Sequence, residues 1–557
     1  MEKRTILAFV LAFLVLIVWS YLYAPKQKQT IPRQKDIHEE RKIVTPESAK
    51  KPVFKPSVPT DIPSQIIKDK SAAYVTQKKE IKVETPLYRV IFSNEGATIR
   101  SFQLKEYRTT TDPDSPPVEL VNLGADEGKF FSVGFDNQTA LGDGEYVYSV
   151  NEDSVYLSAG SGPKDLTFRY LDSDGVSIDE TYRFYPDKYD IDLFITLRND
   201  SELPADGNIK AYLSNLPPKN KSSYYSFVGV ALLLNDKLVK IKPKKMKDNE
   251  HLSGQIGWMA YENDYFMSAI IPEGQIEGSF MGTLMPSGAI NSVYISPSIT
   301  LRPFEQVSSR FILYMGPRDL DILKKFGKGL DRAINFGFFD IIAKPLHFAL
   351  RFFYRYVHNY GVSIIIITLL IKILFWPLTH KSYKSMKEMQ KLQPLMAKIR
   401  EKYKDNREQM QRELMGLYKT YKVNPMGGCL PMLIQIPVFF ALFRILGNSI
   451  ELRHAPFMLW ITDLSAPDRL FNFPFSIPFM SPPYGIPVLT LLMGASMFIQ
   501  QKMQPMPGDP AQAKVMMFLP IIFTVMFINF PSGLVLYWLT NNILSIGQQY
   551  RIKKRPG

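Results

Sequence analysis

The run from Gly361 to Leu378 limits this chain more than any other feature. Its 18 residues include Ile364-Ile365-Ile366-Ile367 and Leu369-Leu370-Ile371, with one charge, Lys372. As a helix it would be about 27 Å long, close to the ~30 Å hydrocarbon core of a bilayer. It is apolar nearly all round, so it has no face to give to water. Four more runs follow: Cys429 to Leu446, Ile486 to Ile499 with an extension to about Met503, Val515 to Phe530, and Gly533 to Ile546. Pro531-Ser532-Gly533 is a tight turn that makes the last two a hairpin. Pro437 and Pro520 inside runs are tolerable where neighbouring helices satisfy the freed backbone.

The start of the chain adds a sixth run. Met1-Glu2-Lys3-Arg4 precedes apolar residues from Ile6 to Tyr23, ending in Trp19, Tyr21 and Tyr23. A basic lead and an apolar stretch make a targeting segment, and terminal aromatics suit a membrane interface. No small-x-small cleavage site follows, so residues 1–24 read as an uncleaved signal-anchor helix. There is no lipobox-type cysteine. Residues 25–80 are polar and carry Pro25, Pro32, Pro46, Pro52, Pro56, Pro59 and Pro63, the pattern of an extended linker.

Residues 81–318 change texture. Leu166, Phe168 and Tyr170 alternate with polar residues, Asp174-Gly175 signals a turn, and Ile178, Tyr182, Ile191, Leu193, Ile195 and Leu197 continue the alternation. Period two with Asp-Gly turns predicts antiparallel sheet, and the length is enough for a sizeable core. Residues 319–357 turn helical, with Leu320, Ile322, Leu323 and Phe326, then Phe336, Phe339, Ile342, Leu346, Phe348, Phe352 and Phe353 among Lys344, Arg351 and Arg355. Two readings fit that pattern: amphipathic helices lying in a membrane interface, or an ordinary domain-capping helix.

Charge sets orientation. The chain has 557 residues with formal net charge +14. In a soluble protein that excess would point to nucleic acid or an acidic partner; here it is placed in particular loops. Twelve Lys or Arg lie between Thr379 and Gly427, but two, Arg453 and Arg469, between Gly447 and Gly485. The tail 551–557 carries Arg551, Lys553, Lys554 and Arg555. Basic loops stay cytoplasmic, so both termini and the 379–427 loop are expected inside and the β domain outside. The predicted class is a polytopic α-helical membrane protein of six transmembrane helices with a large periplasmic antiparallel β-sandwich domain.

Few residues carry chemistry. Cys429 is the one cysteine, which excludes a disulfide framework and reads as a small apolar residue. The six His are scattered, and no nucleophile motif, phosphate loop or metal-ligand spacing occurs. No catalytic residue, metal site or cofactor is expected. Lys372 is the first candidate, because an ammonium inside an apolar span costs several kcal/mol unless hydrated or paired. Two readings stand open: a functional charge, or a stem that snorkels to the inner headgroups. Thr368 lies one turn earlier on its face. Gln435, at the start of the next span, either lines a polar cavity or bonds a neighbouring helix. Thr524, Asn529, Asn541, Asn542 and Ser545 add polar groups in the last two spans, giving the expectation of a shared hydrated pocket, or for the end-lying Asn529 and Ser545 of an interface position.

The cytoplasmic loop is the third candidate. Met386, Met389, Leu392, Met396, Ile399 and Tyr403 recur at helical spacing, Asp405-Asn406 breaks the pattern, and Met410, Leu414, Leu417, Tyr418 and Tyr421 resume it. This predicts an antiparallel helical hairpin over 381–422. Its Met stripe (Met386, Met389, Met396, Met410) either captures varied apolar partners or zips the two helices together.

Several segments together resemble one family. Asn424-Pro425-Met426-Gly427-Gly428-Cys429-Leu430-Pro431, Leu433-Ile434-Gln435-Ile436-Pro437-Val438-Phe439, Glu451-Leu452-Arg453 with Ala455-Pro456-Phe457, Phe498-Ile499-Gln500-Gln501-Lys502-Met503 and Phe530-Pro531-Ser532-Gly533-Leu534-Val535-Leu536-Tyr537 look like the YidC insertases of bacteria, mitochondria and thylakoids. The close match covers about 360–550, and the anchor and β domain match the Gram-negative architecture. The resemblance implies a five-helix insertase core at 358–550 with a hydrophilic groove open to the cytoplasm and lipid. It implies that a characteristic arginine makes the groove positive; this chain has Lys372 there, which keeps the charge and loses the fork. It implies groove or substrate contacts at Thr368, Gln435, Tyr537 and Trp538, and substrate capture by the cytoplasmic hairpin. The implied partners are nascent membrane proteins, the Sec translocon, the lipid bilayer and, transiently, the ribosome, with no sequence-specific nucleic-acid binding. The implied location is the bacterial inner membrane. Two rivals have weaker support. A small-solute transporter would show repeated halves with broken helices, and no such repeat is seen. A periplasmic sugar enzyme would need a carboxylate pair in a cleft, which the sequence does not locate.

Overall fold

The computed structural model describes residues 77–124, 129–136, 146–218, 227–274, 277–421, 423, 430–504 and 510–554. The anchor expected at 1–24, the linker up to residue 76, Cys429 with the preceding residues 424–428, and residues 555–557 lie outside the described residues.

Two sheets build the β domain. A five-stranded sheet contains β1 (Glu80–Glu84), β2 (Tyr88–Ser93) and β3 (Thr98–Arg108). A fourteen-stranded sheet contains β4 (Lys164–Leu171), β5 (Val176–Phe184), β6 (Asp190–Asn199), β7 (Glu250–Glu262), β8 (Phe266–Pro272) and β9 (Gln306–Pro317). Its central neighbours run β7–β8–β9–β6–β5–β4, each pair antiparallel. The alternation legible in the sequence is the pleat: Val176, Ile178, Glu180, Tyr182 and Phe184 of β5 are buried and the residues between them half-exposed. Gly175, at φ 82°, turns β4 into β5 in a conformation that glycine adopts without a Cβ clash.

The sheets face each other across aromatic rings. Phe92 of β2 lies 5.5 Å from Phe168, 5.0 Å from Tyr182 and 6.1 Å from Phe184. Each such fully buried ring contributes about 2–3 kcal/mol by removal from water. One pairing departs from the antiparallel expectation: Lys82–Glu84 runs parallel to Ser154–Tyr156. Parallel neighbours need a long crossover, and about 70 residues of chain supply it.

Helices follow. Asp319 caps α1 (Leu320–Phe326) by accepting from the Asp321 and Ile322 amides at 2.8 and 3.0 Å, and Leu323 enters the β core. In α2 (Asp340–Val357), Ala343, His347 and Leu350 are buried at i, i+4, i+7 while Ile341, Phe348 and Tyr356 face outward. The bundle comprises α3 (Tyr360–Leu374), α6 (Leu430–Asn448), α7 (Val488–Met503), α8 (Pro510–Phe527) and α9 (Ser532–Lys554). Between α3 and α6 stand α4 (Trp376–Lys402) and α5 (Arg407–Thr420).

The span expected to run unbroken to Leu378 instead ends at Leu374. The chain bends 65° there into α4. Pro377 is the physical reason: it has no N–H to donate and its ring would strike the preceding turn of a continuous helix, but it is accepted at the start of a new one. Among the described residues no single helix is long and apolar enough to cross a membrane by itself; α3 and α4 qualify only as a bent pair. Close packing relies on Gly494 of α7, where a Cβ would come 2.1 Å from Thr524 Oγ1 of α8.

The β domain and the bundle meet through Glu451-Leu452-Arg453. Ile450 belongs to the β core and Leu452 to the bundle core. Arg453 donates to the carbonyls of Arg108 (2.5 Å) and Thr109 (3.3 Å) and lies over the rings of Tyr265 and Phe266. Glu451 stands 3.2 Å from His347 Nε2 of α2.

Candidate functional site

Lys372 sits in the last turn of α3, and its side chain points into the bundle rather than out to a surface. The residue is 8% exposed. Nζ donates to Ser545 Oγ at 2.6 Å and, at a long 3.5 Å, to Asn541 Oδ1, both on α9. Ser545 Oγ in turn donates to the Asn541 carbonyl at 2.7 Å. Among the described residues no carboxylate pairs with Lys372. The amino group is therefore held by neutral acceptors, with no counterion among them.

The acceptors form a stripe. On α9, Tyr537, Asn541, Ser545 and Gln548 are spaced i, i+4, i+8 and i+11, so they share one face over about 16 Å. All four are buried. Each ties α9 to another helix or holds Lys372. Gln548 Nε2 donates to Thr379 Oγ1 of α4 at 3.0 Å. Tyr537 hydrogen-bonds the side chain of Gln435 on α6. Beside the stripe, Asn542 donates to Ser496 of α7 at 2.9 Å. Polar groups inside an apolar bundle are costly unless paired, and these pairings fix the register of α9 against α3, α4, α6 and α7.

The other residues singled out in the sequence fall as follows. Thr368 is buried, but its hydroxyl donates to the Ile364 carbonyl of its own helix at 2.6 Å and does not reach Lys372. Gln435 bonds the neighbouring helix. Trp538 lies half-buried in an aromatic cluster with Phe439 (4.9 Å), Phe527 (5.1 Å) and Phe523 (6.2 Å). In the α4–α5 hairpin Met396 is buried and its sulfur meets the Tyr418 hydroxyl at 3.9 Å, so this position joins the two helices. Met389 and Met410 remain half-exposed. Met386 faces the bundle, lining a notch of about 40 Å³ with Tyr383, Met503 and Gln549.

Gln548, Thr379 and Ser496 escaped the sequence reading. The signal was there: the spacing of Tyr537, Asn541 and Ser545 continues to Gln548, but the last span was ended at Ile546, whereas α9 runs to Lys554.

The whole is a β-sandwich domain joined to an apolar helical bundle that buries Lys372 against a polar stripe, with no carboxylate partner among the described residues. Comparison with known proteins agrees with that class and narrows it. The family model described as 60Kd inner membrane protein matches residues 352–556, and that described as YidC periplasmic domain matches 80–349. Curated membrane protein insertases YidC from Pelobacter propionicus and Syntrophus aciditrophicus are 42% and 41% identical, over 100% of this chain and 99% and 100% of theirs. That from Geobacter sulfurreducens is 41% identical over 100% of this chain and 98% of its own. A crystal structure of an active YidC insertase aligns over 86% of this chain and 93% of its own, with TM-score 0.37 and 20% identity. A galactose mutarotase-like protein from Lactobacillus casei aligns over 42% and 100%, with TM-score 0.32 and 10% identity. The chain belongs to the YidC family of membrane protein insertases, inner-membrane proteins with a periplasmic domain and a non-enzymatic function.

Proposed function

We propose that this insertase lowers the barrier to inserting nascent membrane proteins through the positive, polar face between α3 and α9. The observation that carries the reading is the Lys372 ammonium, buried on Ser545 and Asn541 with no carboxylate counterion among the described residues. Neutral acceptors hold such a charge weakly enough to exchange. An acidic segment of an incoming chain gains Coulomb energy there that it loses in plain hydrocarbon. The apolar part of the substrate then moves into lipid, driven by burial of its apolar surface.

In this reading Thr368, Gln435, Tyr537 and Trp538 line the path, opened by separating α3 and α6 from α9. The α4–α5 hairpin receives the substrate in the cytoplasm through half-exposed Met389 and Met410, with Met386 at the notch where the hairpin meets the bundle. The anchor, α3, α6, α7, α8 and α9 are the six membrane-spanning segments, with both termini and the basic hairpin inside. The periplasmic β domain and α2 lie on the outer side, α2 resting in the interface. The insertase works alone or with the Sec translocon and makes transient contact with the ribosome.

The test is insertion of a single-spanning protein with an acidic outer tail into liposomes that contain only this protein. Protease protection is expected with wild type and Lys372→Arg and not with Lys372→Ala. Full protection with Lys372→Ala would remove the charge from the mechanism. No protection with wild type would mean that a translocon is required.

A further inference from the structure

Residues 470–487, between α6 and α7, contain no charged side chain and four phenylalanines, Phe471, Phe473, Phe475 and Phe479. Their large side chains are not folded inward. Phe471, Phe475 and Phe479 are 66%, 59% and 81% exposed, and the nearby Leu459 is 83% exposed. A loop bound for water would not be built this way.

The backbone beneath these rings is firmly held. β10 (Leu470–Phe473) pairs with β11 (Tyr484–Ile486), and Phe473 stacks on Phe475 at 5.3 Å. Arg469 donates to the carbonyls of Pro483 and Ile528, each at 2.8 Å, and to Asn529 Oδ1 at 3.2 Å. Asn529 accepts from the Ser481 amide and donates to the Phe479 carbonyl, both at 2.8 Å. Asp468 accepts from Trp460 Nε1 at 2.7 Å and from the Leu489 amide at the start of α7. Leu459, Phe471 and Phe479 have φ of 55°, 60° and 63°, a left-handed conformation that costs bulky residues about 1–2 kcal/mol each. Asp468, Arg469 and Asn529 spend their hydrogen bonds on the loop and helix ends, and the rings are turned out at a conformational cost.

This apron hangs from the ends of two apolar helices. Asp468 holds the first amides of α7, and Arg469 meets the Ile528 carbonyl just beyond α8, where its charge complements the helix dipole. The outward faces of those helices, Leu491, Leu492, Phe498 and Ile499 on α7 and Phe518, Ile521 and Ile522 on α8, are exposed and continuous with it. The 16 residues of α7 reach about 24 Å, some 6 Å less than a hydrocarbon core.

We propose that the aromatic apron is a membrane-seated platform: Leu459, Phe471, Phe475 and Phe479 sit in the outer leaflet at the boundary of acyl chains and headgroups. They extend the apolar reach of α7 and fix the depth of the α7–α8 pair. The proposal rests on the reading of α7 and α8 as spans. Lipid is favoured over a protein partner because the segment offers no charged rim, presents aromatics suited to the interface, and continues an apolar helix surface.

The experiment places nitroxide labels on single cysteines in the full chain with Cys429→Ser, reconstituted in phosphatidylethanolamine–phosphatidylglycerol liposomes. Collision with oxygen and with a water-soluble nickel chelate gives depth. Phe475→Cys and Phe479→Cys are the probes, with Leu459→Cys as a third that leaves the rings intact. Leu492→Cys on α7 and Leu203→Cys on the β domain are the lipid and water references. High oxygen and low nickel collision at the probes, matching Leu492→Cys, supports the proposal. Probes that match Leu203→Cys while Leu492→Cys reads lipid overturn the proposal and leave the spans standing. Probes shielded from both reagents mean a protein covers the apron, which also overturns it. If Leu492→Cys itself reads water, the span reading fails and the proposal with it.

Discussion

Replacing Lys372 by methionine should separate stability from activity. The ammonium is buried with one close hydrogen bond, to Ser545, one long one, to Asn541, and no counterion among the described residues. Methionine fills much of the same volume without the desolvation cost of a charge. Ser545 keeps its bond to the Asn541 carbonyl, so little is left unsatisfied. Exchanging a buried charge for an apolar residue of similar size is commonly neutral or stabilising by about 1–4 kcal/mol; with a close bond forfeited, we expect about 0–2 kcal/mol of gain for Lys372→Met. Ser545→Ala does the opposite. It removes the close acceptor and leaves the charge buried, at a cost of about 1.5–3 kcal/mol. In a Lys372→Met background the same Ser545→Ala change should cost under about 1 kcal/mol. The assay is a double-mutant cycle on unfolding in detergent micelles, with liposome insertion run on the same preparations. Lys372→Met should be at least as stable as wild type and inactive. A Lys372→Met protein that is destabilised by more than about 2 kcal/mol, or a Ser545→Ala cost that is equal in both backgrounds, would refute the reasoning.

Three further outcomes follow from packing and burial. Gly494→Val should destabilise the bundle by about 1–3 kcal/mol, because its Cβ falls 2.1 Å from Thr524 Oγ1; Thr524→Ala should recover part of that in thermal unfolding. Arg453→Ala should loosen the β domain from the bundle, seen as faster amide exchange at Arg108 and Thr109 with the sheet interior unchanged. Glu180 is fully buried beside Tyr182, and burial raises its carboxyl from 4.5 to about 8. The folded state therefore holds a proton that the unfolded state releases, so the β domain loses up to about 1.4 kcal/mol per unit as pH rises from 4.5 towards 8. Glu180→Gln should flatten that slope in a pH series of melting curves.

The sequence by itself determined the alternation of β4, β5 and β6, the helical hairpin, the apolar runs and the isolation of Lys372, because periodicity and composition are local properties. It left open whether Lys372 snorkels and whether Gln435 lines a cavity, since both depend on what stands opposite. Tertiary structure decided those contacts: the Lys372 stem turns to Ser545 on α9, 173 residues away, and Gln435 meets Tyr537. It also ended α3 before Pro377, where the apolar run had been expected to continue to Leu378, and carried the polar stripe of α9 past Ile546 to Gln548. Which polar side chains face one another inside an apolar bundle is set by helix rotation and register, and those are fixed only when all the helices pack together.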